Sequence, residues 1–374
     1  MPELTREFTG LLFEEAERQL RICNACRYCD GYCAVFTSLG RRPLLTTGDM
    51  AHLEHLCHDC RSCLYACMYA PPHSFAVNPP QLFSELRRAT YDRQRSIFTR
   101  RLPPALRGWR GAAPVTLLAA TLLLGAALLS TGVRSLPDDP GTPASPHSAI
   151  PYTAAVILAV IASACSVLTM VLMARRYWAE IHASTERRIG LHALFRTVTD
   201  AGRLRYLKGG EGGCAYPDRK VAQTRRRLHA ATLYGFAALL LSTAAASIAQ
   251  HVLGPRLPYP IASVPVGFGI TGGASVVLGC TGMIILRMRA DPLVSDAGGI
   301  ARGYGLLITL DLLAITGLLT LTLRNTPLYA IVLTAHLSLV VASIAAAPYS
   351  KLLHAAYRFL SILEDHAERA AQGA

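Results

Sequence analysis

The sequence predicts an all-α protein: an N-terminal helical ferredoxin-like domain joined to a six-span transmembrane helical bundle. Three observations predict it. Cysteines recur twice at C-x2-C-x2-C-x3-C spacing, in CNACRYCDGYC (23–33) and CHDCRSCLYAC (57–67). Apolar runs of about 20 residues, the length a hydrocarbon core requires, follow from residue 113 onward. Histidines stand at helical intervals on those runs.

Composition agrees with this division. Of 374 residues, 52% are hydrophobic and only 16% charged, a balance typical of membrane chains. Residues 1–100 read as a helical two-cluster domain, since Leu11, Leu12, Ala16 and Leu20 recur at helical spacing and no strand alternation is visible. The first twenty residues are acidic and amphipathic and lack the pattern of a signal peptide, which predicts a cytoplasmic domain with reduced thiols. A basic linker, 101–112, leads to spans near 113–133, 151–174, 230–250, 264–286, 304–323 and 328–348. Together they make a transmembrane domain of 113–355, followed by a tail, 356–374.

Lys+Arg exceeds Asp+Glu by 37 to 24, and the position of the excess decides its meaning. Basic residues crowd 175–229 and 287–303, while 132–150, 251–263 and 324–327 hold few. That asymmetry orients the spans with both termini on the cytoplasmic side. It accounts for the net charge of +13 without a nucleic-acid partner.

Four cysteines within eleven residues, twice, fit the two-cluster ferredoxin pattern, in which the fourth cysteine of each run serves the other cluster. On that logic Cys23, Cys26, Cys29 and Cys67 hold one [4Fe–4S] cluster, and Cys57, Cys60, Cys63 and Cys33 hold the second. Uncrossed wiring, each run keeping its own four, stays open, and structural zinc is the rival metal. The Pro that usually follows the fourth cysteine is absent, with Ala34 and Met68 in its place. His52, His55, His58 and His73 flank the second run and read as mostly exposed. Cys165 and Cys280 read as inert core thiols. Cys214 reads as a loop thiol that either packs on the cluster domain or has no role.

Histidine within lipid marks function by default. His229 and His251 bracket the third span; His336 lies in the sixth and His354 just past it. On one continuous helix the step from His336 to His354 is five turns, and His229 to His251 returns to within about 40° of its start. Antiparallel packing then pairs His229 with His354 near the cytoplasm and His251 with His336 toward the outside, as axial ligands of two b-type haems. The bland alternative makes three of them interfacial, leaving His336 hydrogen-bonded inside a span. His182 and His192 are rival ligands. GFGITGG (267–273), GCTG (279–282) and Gly317 suit either a macrocycle or close helix packing, and Asp311 a proton relay or a hydrogen bond.

Several stretches then resemble one known family. CNACRYCDGYCAVF, CHDCRSCLYACMYAPPHSFAVNPP, GGCAYP with RRRLH, LPYPIASVPVGFG, AHLSLV and PYSKLLHAAYR appear in an order similar to the tricarballylate utilization protein B (CitB) family. The resemblance spans nearly the whole chain. It implies a membrane electron-transfer protein carrying iron–sulfur clusters and haem b. Such a protein reoxidises the reduced FAD of a partner tricarballylate dehydrogenase and passes the electrons to membrane quinone. A related half occurs fused to a flavoprotein in cobalamin biosynthesis. The resemblance implies all eight cysteines as cluster ligands, and His229, His336 and His354 as haem ligands. His251 matches less closely, because Gln250 and Val252 flank it without aromatic neighbours. A tricarboxylate transporter and a cluster-based redox sensor are the rival functions. Transport needs no cluster cysteines and the spans lack midplane charge pairs; a sensor needs neither haem nor quinone.

Overall fold

The computed structural model describes residues 2–94, 118, 121–122, 152–183, 189–210, 213–252, 254, 259–291, 294 and 297–372. Helices α1 (Pro2–Cys26), α2 (Ala34–Leu39), α3 (Thr47–Leu56), α4 (Ser62–Tyr65) and α5 (Pro79–Gln94) build the N-terminal domain. After it come α6 (Tyr152–His182), α7 (Leu191–Gly202), α8 (Thr224–Val252), α9 (Val264–Met288), α10 (Ala297–Thr322), α11 (Tyr329–Ala346) and α12 (His354–Ala371). No strand occurs among the described residues.

Leu12, Ala16 and Leu20 repeat every fourth residue, so α1 presents one apolar stripe to Leu39, Leu53, Phe83 and Leu86. Leu11 is 61% exposed, because one residue turns a helix by about 100° and carries it off that stripe. Thr46 starts α3 with a capping box: its side chain accepts from the Asp49 N–H, and Asp49 accepts from the Thr46 N–H.

Among the described residues, five helices are long and apolar enough to cross a membrane: α6, α8, α9, α10 from Gly298, and α11 extended to Tyr349. Their outward side chains, such as Ile157, Val160, Ile161, Val167 and Leu168, are exposed and apolar, as a lipid-facing surface requires. These features mark a membrane protein. The expected first span, 113–133, and the linker, 101–112, lie outside the described residues, three isolated positions apart.

The described spans pack in succession, with α8 on α9, α9 on α10, α10 on α11 and α11 on α6. At their end far from the N-terminal domain, the Tyr152 hydroxyl of α6 lies 2.6 Å from His251 Nε2 of α8. Glycines let α8 and α9 touch backbone to backbone. A Cβ on Gly272 would stand 2.8 Å from the Gly235 carbonyl, and one on Gly279 2.4 Å from Thr232 Oγ1.

The segment expected as a tail, 356–374, is helical through Ala371 and deeply packed. Its acidic residues Glu364 and Asp365 are fully buried. Arg41 of the N-terminal domain meets Asp365 at 2.6 Å and Glu368 at 2.9 Å. Arg42 pairs with Glu368 and, at 2.8 Å, with Asp49. Glu364 takes His182 of α6 at 2.8 Å. A buried pair contributes little net stability, but removing one partner strands the other charge at a cost of about 3–5 kcal/mol. Glu368→Gln takes away a carboxylate shared by Arg41 and Arg42 and leaves them Asp365 and Asp49; it is expected to lower stability by about 1.5–3 kcal/mol, read as a drop in the thermal midpoint of the solubilised protein. Arg18→Ala, which breaks an exposed pair on α1, is expected to leave that midpoint nearly unchanged.

Candidate functional site

The cysteines sort into two groups of four. Cys23, Cys26, Cys29 and Cys67 line one small cavity together with Tyr28, Met68 and Tyr69. Cys33, Cys57, Cys60 and Cys63 line another, with His58 and Tyr206. Each group takes three cysteines from one run and the fourth from the other. Local backbone produces this. Arg27 and Arg61 both follow the second cysteine of their runs, and both take left-handed conformations, with φ of 54° and 65°. The chain thus doubles back and returns the third thiol toward the first two. Cys33 then caps α2 in extended conformation, with Ala34 as the first helical residue. Pro is favoured at that first helical position, so Ala34 fills a proline's place without altering the helix start.

Burial and neighbouring thiols push Cys23 up to about 12, chiefly through Cys67 after desolvation. Cys29 is raised to about 11 by burial and by Cys67. In the second group, burial and then Cys57 raise Cys60 to about 11. Cys33 and Cys63 are pushed higher still, by burial and then Cys60. Thiols so placed resist ionisation unless a metal displaces their protons.

The second run is strapped to the membrane half. Ser62 donates to the Gly213 carbonyl at 2.7 Å, and the Ala215 N–H donates to the Cys60 carbonyl at 2.9 Å. Gly210 of the same strap has φ +57°, and a Cβ there would meet the Tyr32 carbonyl at 1.9 Å; only glycine allows so close an approach. Cys214 is buried beneath this strap, which settles its packing against the cluster domain. Arg225 of α8 donates to the carbonyls of His58 and Asp59, each at 2.7 Å. Arg358 of α12 donates to the Cys57 carbonyl at 2.8 Å.

One helical turn from each of these arginines stands a histidine. His229 follows Arg225 on α8 and His354 precedes Arg358 on α12, with ring centroids 6.4 Å apart and planes at 33°. His354 Nδ1 donates to the Lys351 carbonyl, which leaves Nε2 with its lone pair. Burial, then the positive charge of Arg358, keep this imidazole neutral. His229 Nδ1 is buried without a hydrogen-bond partner.

The route to this meeting differs from the expected one. No continuous helix joins His336 to His354: α11 ends at Ala346, and two 3-10 turns, Ala347–Tyr349 and Lys351–Leu353, intervene. Pro348 lacks an N–H donor, and Ser350 accepts from the Leu352 N–H, restarting the chain. Both residues were legible signals of a break. The expected outer pair is not brought together. His251 meets Tyr152, while His336 Nδ1 stands 3.0 Å from Thr316 Oγ1, and α9 and α10 lie between their helices in the succession of spans. His182 pairs with Glu364 and stacks on Trp178; His192 is exposed. His52 and His55, expected at the surface, are fully buried, and His58 is half-buried. His52 meets Ser38 at 3.1 Å, and His55 packs its ring among Tyr91, Tyr177 and Tyr357. Asp311 accepts from Thr281 at 2.9 Å.

Among the spans lies a mainly apolar cavity of about 1010 Å³. His336, Thr309, Gly317 and Tyr259 line it, and it reaches Arg302 and Lys351 at the domain side. A Cβ on Gly317 would stand 3.0 Å from the His336 ring, so this glycine makes room for the imidazole.

Residues 16–93 match the family profile described as the citrate utilization protein B Fer4-like domain, and residues 107–374 that of citrate utilization protein B. The chain belongs to the citrate utilization protein B family. An Escherichia coli relative, citrate utilization protein B, is 34% identical over 356 residues, covering 94% of this chain and 91% of the relative. No solved structure matches. For a citrate utilization protein B family member, the Fer4-like match makes the N-terminal domain an iron–sulfur domain. Its two groups of four thiols have the donor set that such clusters take. Cys33→Ser and Cys60→Ser are expected to leave one shared residual iron–sulfur EPR signal, and Cys26→Ser and Cys67→Ser the complementary one. If Cys33→Ser instead shared its signal with Cys26→Ser, each run would keep its own four ligands.

Proposed function

We propose that this protein reoxidises the reduced FAD of a partner dehydrogenase acting on a tricarboxylate, of the tricarballylate type, and delivers the electrons to membrane quinone. The observation that carries the reading is the link from cysteines to histidines. Arg225 and Arg358 hold the second cysteine run by its backbone, and each lies one helical turn from His229 or His354. A rigid tie between a thiolate cage and a paired imidazole site serves electron transfer and has no use in transport.

The residues fit the groups this reading requires. Cys23, Cys26, Cys29 and Cys67 would hold one [4Fe–4S] cluster, and Cys33, Cys57, Cys60 and Cys63 a second. His229 and His354 would hold a b-type haem. Their ring centroids stand 6.4 Å apart, a separation that would leave room for a metal between the two imidazoles. When bound, these groups supply the one-electron chemistry that joins a two-electron flavin donor to a quinone.

The polypeptide contributes direction and exclusion. Cys26 is exposed, and Tyr28, Met68 and Phe75 form an exposed apolar rim around the first group of cysteines. That rim is the face we assign to the flavoprotein, because interfaces are rich in aromatic residues and Met. The second group is covered by the strap and by the arginines of α8 and α12. The central cavity suits a quinone, with His336 held by Thr316 as the polar group on an apolar wall. The Arg-rich ends of the spans share the side of the cysteine domain, which supports a cytoplasmic domain and N- and C-termini inside a bacterial inner membrane.

His354→Ala is expected to abolish b-haem absorbance while leaving the iron–sulfur EPR signals in place. His336→Ala is expected to keep the haem content and slow reoxidation by a quinone analogue at least tenfold. Loss of half the haem in His336→Ala would instead make His336 a ligand and the cavity a second haem site.

A further inference from the structure

Beside the central cavity, on its domain side, lies a second and smaller one of about 280 Å³. Arg302, Tyr349, Ser350 and Lys351 line both. The small chamber runs from the second cysteine run, at Asp59 and Arg61, to His354. Arg87, Arg225, Arg287, Lys351 and Arg358 converge on it, with Asp59 and Asp291 as the carboxylates of its wall. Positive charge thus far outweighs negative on the lining of this chamber.

The polar contacts of these groups do not neutralise them. Arg225 bonds the carbonyls of His58 and Asp59, Arg358 that of Cys57, Arg87 that of Glu54 and Arg287 that of Ile300. Carbonyls satisfy donors but carry no charge. The Nε atom of Arg358 is buried without a hydrogen-bond partner. Gathering like charges in a low-dielectric pocket is costly unless an anion joins them. The chamber therefore has the chemistry of a site for a ligand with two or more carboxylates or phosphates.

We infer that this chamber receives the two propionate carboxylates of the haem whose iron His229 and His354 would hold. The inference rests on the haem assignment made above. It follows from place as well as charge, since His354 itself lines the chamber and the guanidinium of Arg358 is one turn from it. Planar guanidinium forks are suited to carboxylates, and Lys351 adds a compact charge. The same chamber also stands between the second cysteine run and the histidine pair. A phospholipid headgroup offers similar oxygen chemistry, with its tails in the adjoining apolar cavity, and the experiment separates the two.

The full-length protein, purified in detergent and stripped of haem, is titrated with haem and with haem dimethyl ester, in which both carboxylates are neutral. Wild-type protein is expected to bind haem with a two-imidazole low-spin spectrum and the ester at least tenfold more weakly. Lys351→Met and Arg287→Gln are each expected to weaken haem binding about tenfold while leaving ester binding, and the iron–sulfur EPR signals, unchanged. Equal affinity of wild-type protein for haem and ester overturns the inference and leaves the haem assignment standing. So does native mass spectrometry showing a bound anionic phospholipid that Lys351→Met loses with haem affinity intact. No two-imidazole spectrum at any haem concentration overturns the haem assignment itself, and the inference with it. Should either variant fail to fold, the comparison of haem with its ester in wild-type protein still decides.

Discussion

The buried carboxylates of α12 are the constraint on which the rest of the arrangement depends. Glu364, Asp365 and Glu368 lie on one short helix, yet they reach Arg41 and Arg42 of the cysteine domain and His182 at the end of α6. The cysteine domain and the end of α6 are thereby both fixed to one rod. The same rod begins with His354 and carries Arg358, which bonds the carbonyl of Cys57. The spacing between a cluster cysteine and a membrane-side histidine is thus set by helix geometry and by charge pairs with no freedom to slide. Hydrophobic packing alone would tolerate a shift of an ångström or more. Buried ion pairs do not, since a displaced partner leaves an uncompensated charge.

Seen from the cysteine domain, the two groups of thiols have different surroundings. The first opens on exposed Tyr28, Met68 and Phe75, with Cys26 at the surface. The second is enclosed by the glycine-rich strap, by Tyr206 stacked on His58, and by arginines from α8 and α12. The internal repeat in sequence is therefore not a repeat in environment. One copy opens at the surface and the other faces the membrane half.

The cysteine groups were legible because their spacing is short and the chemistry of four thiols is specific. The five described spans were legible because apolar length is itself the signal. The deep packing of 356–374 was not, since HAAYRFLSILEDHAER reads as an ordinary charged amphipathic helix until its partners are known. His52 and His55 misled for a related reason. A polar flanking sequence suggests solvent, but a buried hydroxyl and a cage of tyrosines supply what water would have supplied. The pairing of His229 with His354 was read from a helix that is in fact broken at Pro348. Antiparallel direction and depth in the membrane bring the two together, whereas the turn count that also suggested it has no continuous helix to act on.

The broken helix has a structural consequence of its own. A continuous α11 would run past the domain side of the bundle with its charged residues on several faces. The two 3-10 turns instead place Lys351 at the junction of the apolar cavity and the basic chamber, and they start α12 at His354. The carbonyl of Lys351 receives the His354 Nδ1 proton while the Lys351 side chain lines the chamber beside it. One residue thus fixes the tautomer of a histidine and contributes charge to the space next to it. The break after Ala346 is therefore part of the site, and its proline and serine belong with the histidine that follows them.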